Sequence, residues 1–328
     1  GILVQGLRKS PGWLIQNTDM SMLKKDADLQ SLVALPLFMC FSMGMMLCNK
    51  IAIDAFPFEC TLLGSQMIFT VFCMLAVWPT LHFGSVWDVL RWLRVVPFFG
   101  SMLLTGLVAL KHAPMSLVVT ARVLSPLMSL VAEAFFPNPV RVNVWMVGAT
   151  VVMLGGAVLY TAETPASDLS GIPWIVVNLA LGVGDRLMHR LMLGADQHPV
   201  DISLTGTTLI NNLAGAILIM GLAFVKGEFS EIPAAWARLD TPSVMWILST
   251  GVVGCGISFV GMWTQKLVSA TSFIVLQNVN KFAIIFVEAY CMGSRTLSTL
   301  QMAGALTALS GGLLYSQATA KSVNDKTK

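Results

Sequence analysis

From about residue 31 onward the chain consists of long apolar runs broken at short intervals by polar residues, Gly and Pro. A helix needs roughly 20 apolar residues to cross about 30 Å of hydrocarbon. Windows of that size predict ten spans, at 31–54, 60–83, 94–111, 113–136, 142–161, 170–192, 202–225, 243–264, 268–291 and 297–316. The connections are short. The longest lies near 226–242, reads KGEFSEIPAAWARLDTP, and carries two prolines and mixed charge. The first window is too long for a signal peptide, and no cleavage-type end follows it.

The pattern also repeats. Gly148-Ala149, five residues, then Gly155-Gly156 returns as Gly304-Ala305, five residues, then Gly311-Gly312, a shift of 156. Near that shift Ser116 matches Ser272, Val119 matches Val275 and Glu133 approximates Glu288. The expectation is an all-α membrane protein of ten transmembrane helices in two inverted five-helix repeats. The first repeat spans 31–161 and the second 170–316, with cytosolic tails at 1–30 and 317–328. An odd number of spans per repeat inverts the second half. That is the plan of alternating-access transporters, whose substrate site lies at the repeat interface. The same small residues also let helices pack closely.

Composition narrows the function. Of 328 residues, 55% are apolar and 11% charged, against about 25% charged in a soluble domain. Mean hydropathy is +0.75. An ordinary cytosolic enzyme is excluded, and a net charge of +3 is too small to point to a nucleic-acid partner. Six cysteines without a CxxC, and four scattered histidines, assemble no metal site, catalytic triad or phosphate loop. No enzyme activity, metal or cofactor is expected. Thirteen Lys and Arg fall on the side of the tails and four, Lys111, Lys226, Arg238 and Arg295, on the other. The excess places the tails in the cytosol.

Ionisable groups inside spans mark function by default. Lys50 lies near the end of its span and can reach the interface by snorkelling. Lys281 sits thirteen residues into its window, roughly 20 Å along the helix. Around it, Gln277, Asn278 and Asn280 add amides, and Gln277, Asn280 and Lys281 share one helical face. A cation among amides suits an anionic, hydrogen-bonding ligand. Arg122, in the comparable helix of the first half, is expected to meet the same ligand or to pair with Glu133. Asn211 and Asn212 interrupt the run TLINNLAGAILIM. They point about 100° apart, so one can face a cavity while the other bridges helices. Asp185, Arg186, His189 and Arg190 read as a solvated, self-paired helix end.

These residues resemble the nucleotide-sugar transporters of the drug/metabolite transporter superfamily, most closely the GDP-mannose type, over roughly 31–318. The family's FYNN motif, associated with the base, resembles Leu209-Ile210-Asn211-Asn212. Its GALNK motif, associated with sugar and phosphate, resembles Gln277-Asn278-Val279-Asn280-Lys281. Ser258, in the segment before that motif, resembles a serine that helps hold guanine. Asn49-Lys50 and Gln66 fit as well. The chain departs from the family at Leu209-Ile210, at Gln277-Asn278 in place of Gly-Ala, and at Phe38 and Phe273, where Tyr is common. The resemblance implies an antiporter that exchanges a GDP-sugar, GDP-mannose or a related one, for GMP in the Golgi or another endomembrane. With Arg122 added from its mid-span charge, the expected substrate site is Asn211, Asn212, Ser258, Phe273, Gln277, Asn278, Asn280, Lys281, Phe38 and Arg122. Expected partners are a nucleotide sugar, a nucleoside monophosphate, the lipid bilayer and a second copy in a homodimer. Two alternatives stay open: a plastid-type sugar-phosphate/phosphate antiporter, and a non-transporting structural membrane subunit.

Overall fold

The computed structural model describes residues 18–125, 128, 143–163, 168–193, 200–267, 280–281, 284–285, 287 and 297–324. Among them the chain is helical and contains no strand. The helices are α1 (Thr18–Ala55), α2 (Glu59–Ala76), α3 (Val86–Trp92), α4 (Val96–His112), α5 (Met115–Arg122) and α6 (Val144–Ala162), followed by α7 (Ile172–Leu193), α8 (Leu204–Val225), α9 (Glu228–Trp236), α10 (Thr241–Leu267) and α11 (Thr299–Asn324). Among the described residues, six stretches are long and apolar enough to cross a membrane: Val33–Ala55, Glu59–Ala76, Val86–His112, Val144–Ala162, Leu204–Val225 and Thr241–Gly261. The chain is thus an all-α membrane protein. Helices α7 and α11 occupy two further windows, and α5 begins another. The window 268–291 lies mostly outside the described residues.

Three local features differ from the sequence expectation. Helix α1 starts at Thr18, so part of the expected tail is helical. Before α4, a Ser85 side chain accepts from Asp88 N while Asp88 accepts from Ser85 N, a reciprocal cap that starts α3. The long connection 226–242 holds α9, entered through Gly227 at φ 72°. Only glycine takes that left-handed conformation without a Cβ penalty.

The main packing pairs are α1 with α10, α2 with α8, α4 with α7 and α6 with α11. Each joins a helix from the first half to one from the second, and contacts show every pair to be antiparallel. Gly44 meets Val253 while Gly261 meets Phe38; Gly64 meets Met220 while Gly215 meets Met67; Gly106 meets Asn178 while Gly184 meets Phe98. In the α6–α11 pair three of the duplicated glycines, Gly156, Gly304 and Gly311, form the seam. A Cβ on Gly156 would lie 2.2 Å from Ala308 N, and one on Gly304 would lie 2.5 Å from Tyr160 N. Backbones this close gain dispersion contacts that a larger side chain would forbid. Met146, Met153 and Leu309, all fully buried, fill the space beside them.

Candidate functional site

A cavity of about 460 Å³ opens between α1, α2, α4, α5, α7, α8, α10 and the residues Asn280, Lys281 and Ile284. Its size suits a small-molecule ligand. Phe38, Arg122, Asn212, Ser258, Asn280 and Lys281 all line it, brought together from five parts of the chain. Asn211 does not. Its Oδ1 accepts the Trp92 indole N–H at 2.8 Å, tying α8 to α3. The adjacent amides therefore take different directions, one to the cavity and one between helices. Phe273, Gln277 and Asn278 lie outside the described residues, as does Glu133.

The face of α1 carrying Ser42, Met45, Met46 and Asn49 runs along the cavity, at the i, i+3, i+4, i+7 spacing of one helical stripe. Asn280 Nδ2 donates to Ser42 Oγ at 2.6 Å. Arg122 Nη1 lies 3.9 Å from Met46 Sδ. Gln66 Nε2 donates to Asn49 Oδ1 at 3.0 Å. Neighbouring helices can be set against this scale. Gly256 packs on Phe41, so Ser258 lies near Ser42. Gly215 packs on Met67, so Asn212, nearly one turn earlier on antiparallel α8, lies near Thr70 rather than Gln66. Ser258 and Asn280 thus lie toward the Ser42 end, Asn212 and Arg122 about one turn along from Asn49, and Gln66 at the Asn49 end. Seven residues of α1 separate the ends, about 10 Å.

Arg122 is held by a residue that the sequence reading did not single out. Its Nε and Nη2 donate to Asn178 Oδ1 at 3.3 and 3.1 Å. Asn178 is turned toward it because its own Nδ2 donates to Met102 O at 2.6 Å and Thr105 Oγ1 at 3.2 Å. The available signal was a lone amide in the apolar run WIVVNLALGVG. Gly106 makes room, since a Cβ there would come within 3.0 Å of Arg122 Nη2. Lys50 takes a structural place instead: Nζ donates to Leu110 O at 2.8 Å and pairs with Asp54 at 3.2 Å. A cation at the C-terminal turn of α4 complements its dipole.

Among the described residues lining the cavity there are two cations, Arg122 and Lys281, and no carboxylate. The rest of the polar surface is amide and hydroxyl. Such a cavity favours an anion that also forms hydrogen bonds. No group of His, Cys, Asp and Glu fit to hold a metal ion occurs among the described residues.

Beyond the Asn49 end, charges knit four helices together. Glu59 accepts from Lys111 at 2.5 Å and Lys226 at 3.0 Å, and Lys226 also pairs with Glu228 at 3.1 Å. Glu228 Oε2 further accepts from Thr61 N and Oγ1, each at 2.8 Å. Burial pulls the Lys226 pKa down, but its bonds to Glu59 and Glu228 outweigh this and hold it up at about 12. Burial pushes Glu228 up, and the Thr61 and Lys226 contacts reverse that and lower it. At the other end of the molecule, His189 and Asp185 pair at 3.3 Å as expected. Asp185 is nevertheless buried, not solvated, because α3 packs there and places Trp92 against the His189 ring.

No family model matches the chain. It is 25% identical over 284 residues to GDP-fucose transporter 1 of Arabidopsis thaliana, covering 82% of this chain and 80% of that protein. Two GDP-mannose transporters of the same plant match at 25% over 291 residues and 24% over 257. They cover 84% and 74% of this chain and 75% and 67% of theirs. A protein of known crystal structure has the same fold, with a TM-score of 0.53 over 90% of this chain and 98% of its own at 14% identity. All three named relatives are transporters and none is an enzyme. The chain is thus similar, over most of its length, to three transporters of GDP-sugars.

Proposed function

We propose that the chain exchanges a GDP-sugar for GMP across an endomembrane, working by alternating access through ten helices in two inverted repeats. The observation that carries the reading is the cavity. It gathers Asn212, Ser258, Asn280, Lys281 and Arg122, from motifs far apart in sequence, around a space with two cations and no carboxylate. In this reading Lys281 and Arg122 face the diphosphate, Asn212 and Ser258 the guanine edge, and Asn211 braces the base pocket through Trp92. Asn supplies donor and acceptor on one side chain, which suits the mixed edge of guanine. Phe38, Phe273, Gln277 and Asn278 stand where the family's own sugar contacts differ, and they bear on which hexose is taken. The names of the relatives favour guanine nucleotides.

The packing supports inverted repeats. Exchanging each first-half helix for its second-half equivalent, α1 for α7, α2 for α8, α4 for α10 and α6 for α11, turns the pair α1–α10 into α7–α4 and returns the other two pairs unchanged. All of these are the pairs seen. The tails lie on the cytosolic side by the count of Lys and Arg, and the membrane is that of the Golgi or a related compartment.

Counter-flow in proteoliposomes tests the function. Vesicles loaded with GMP should accumulate a labelled GDP-sugar, and vesicles loaded with UMP should not. Accumulation of phosphosugars alone would replace this reading with a sugar-phosphate/phosphate antiporter. No accumulation of any of them would leave a non-transporting subunit.

A further inference from the structure

Asn178 stands on the face of α7 that α4 covers, and it is 5% exposed. Its Nδ2 donates to Met102 O at 2.6 Å and to Thr105 Oγ1 at 3.2 Å, both on α4. A backbone carbonyl only accepts, so the atom set against Met102 O is the nitrogen, and Oδ1 is turned to Arg122. It accepts from Nε at 3.3 Å and from Nη2 at 3.1 Å. A guanidinium is planar and carries its five N–H donors in a rigid fork. Holding the Nε–Nη2 edge therefore aims the remainder, and Nη1 reaches the cavity wall at Met46 Sδ, 3.9 Å away. Gly106 completes the seat: a Cβ there would lie 3.0 Å from Arg122 Nη2 and 3.2 Å from Asn178 Nδ2.

The chemistry of residue 178 matters as much as its place. Charged groups within a membrane commonly pair with one another. A carboxylate at the 3.1 Å held by this amide would set an opposite charge on the guanidinium and compete with an anionic ligand for it. An amide of the same shape gives the hydrogen bonds without the charge. Resting on the proposed transport function, in which Arg122 faces the phosphate groups, we infer that Asn178 is the positioning residue of Arg122. It aims the guanidinium into the cavity and adds no negative charge of its own. Its effect falls on the phosphorylated ligand and spares the same ligand without phosphate.

The test follows Asn178 with and without Arg122. Asn178→Leu keeps the size of the side chain and removes both acceptor and donor. Binding of GMP, and of guanosine, which lacks the phosphate, is read by titration calorimetry of purified wild type, Asn178→Leu, Arg122→Gln and the double variant. Asn178→Leu should weaken GMP about tenfold and guanosine by less than about twofold. With Arg122 already replaced by Gln, the same change should cost GMP nothing more. Asn178→Asp, of native shape but charged, should also weaken GMP and spare guanosine. Equal losses of GMP and guanosine in Asn178→Leu would overturn the inference, as would unchanged or tighter GMP binding, or a loss of GMP that persists in the double variant. If wild type binds neither ligand, the transport reading itself fails. If wild type and Arg122→Gln bind GMP equally well, that reading stands and only the assignment of Asn178 is lost. Should Asn178→Leu not fold, Asn178→Thr, whose hydroxyl can bond back to the preceding turn, carries the same cycle.

Discussion

At the residue scale, two neighbouring asparagines show what a sequence can and cannot disclose. Their unlikely position in an apolar helix and their 100° divergence were legible from the sequence. Which one faces the cavity was not, because it depends on Trp92 arriving from α3, 119 positions away. Asn211→Ala should leave the fully buried Trp92 indole N–H without its acceptor and cost about 1–3 kcal/mol of stability, with GMP affinity close to wild type. Asn212→Ala should do the reverse, and a melting curve with and without GMP separates the two. Equal loss of GMP affinity in both, at unchanged stability, would put Asn211 in the site. Lys281 stood out as a mid-span charge, whereas Asn178 did not, since a lone buried amide gives no hint of its partner. Lys281→Ala should remove a charge-assisted contact of about 1.5–3 kcal/mol, weakening GMP roughly tenfold to a hundredfold by titration calorimetry. Wild-type affinity in that variant would take Lys281 out of the site.

At the scale of helices, the glycine repeat in α6 and α11 was read as either duplication or close packing, and the structure shows the packing directly. The sequence could not say which glycines touch, because that depends on how the helices are rotated about their axes. Gly156→Ala places a Cβ against backbone atoms at 2.2 and 2.6 Å, which cannot swing aside as a side chain would. A loss of at least about 2 kcal/mol is expected. Gly148 and Gly155 have nothing within 4 Å, so Ala there should be neutral or should stabilise by up to about 1 kcal/mol through helix propensity. Thermal melts of the three variants check the order. The short helices α3 and α9 were missed for another reason. They are too short for the apolar window to register, and only the Ser85–Asp88 cap announces one of them. Helix α9 carries Glu228 into the charge cluster. With Lys226 pKa raised, its pairing stabilises fully below the unfolded value of about 10.4 and is lost as pH rises through about 12. With Glu228 pKa lowered, its share is present above about 4.3 and is lost as pH falls through the lower folded value. Stability should thus be insensitive to this cluster between about pH 5 and 10. Lys226→Met should cost about 1–2 kcal/mol at neutral pH, between an exposed and a buried pair, since the Lys226 side chain is 44% exposed. A melting temperature equal to wild type would show that Lys111 on Glu59 and Thr61 on Glu228 satisfy the carboxylates without it.

For the whole molecule, ten windows and an odd repeat lead to the inverted architecture proposed above, while the structure shows helices before residue 163 pairing with helices after residue 171. What sequence patterning could not show is that the cavity enclosed between the halves carries two cations and no carboxylate among its described lining residues. That imbalance bears on the transport cycle. Closing the cavity takes the Arg122 and Lys281 charges further out of water, and desolvating charge inside a membrane protein is expensive. A nucleotide brings the opposite charge and relieves the cost. The empty molecule should therefore reorient more slowly than the loaded one, and exchange should outrun net uptake. GDP-sugar uptake into GMP-loaded proteoliposomes should exceed uptake into empty ones by about tenfold or more, which needs only about 1.4 kcal/mol of extra barrier for the empty step. Arg122→Gln removes one of the two charges while keeping a donor to Asn178. It should weaken binding yet narrow the ratio between loaded and empty vesicles, because the empty cavity then closes at lower cost. A ratio near one in wild type would mean that the empty carrier returns freely, and the cations would then have no part in coupling the two halves of the exchange.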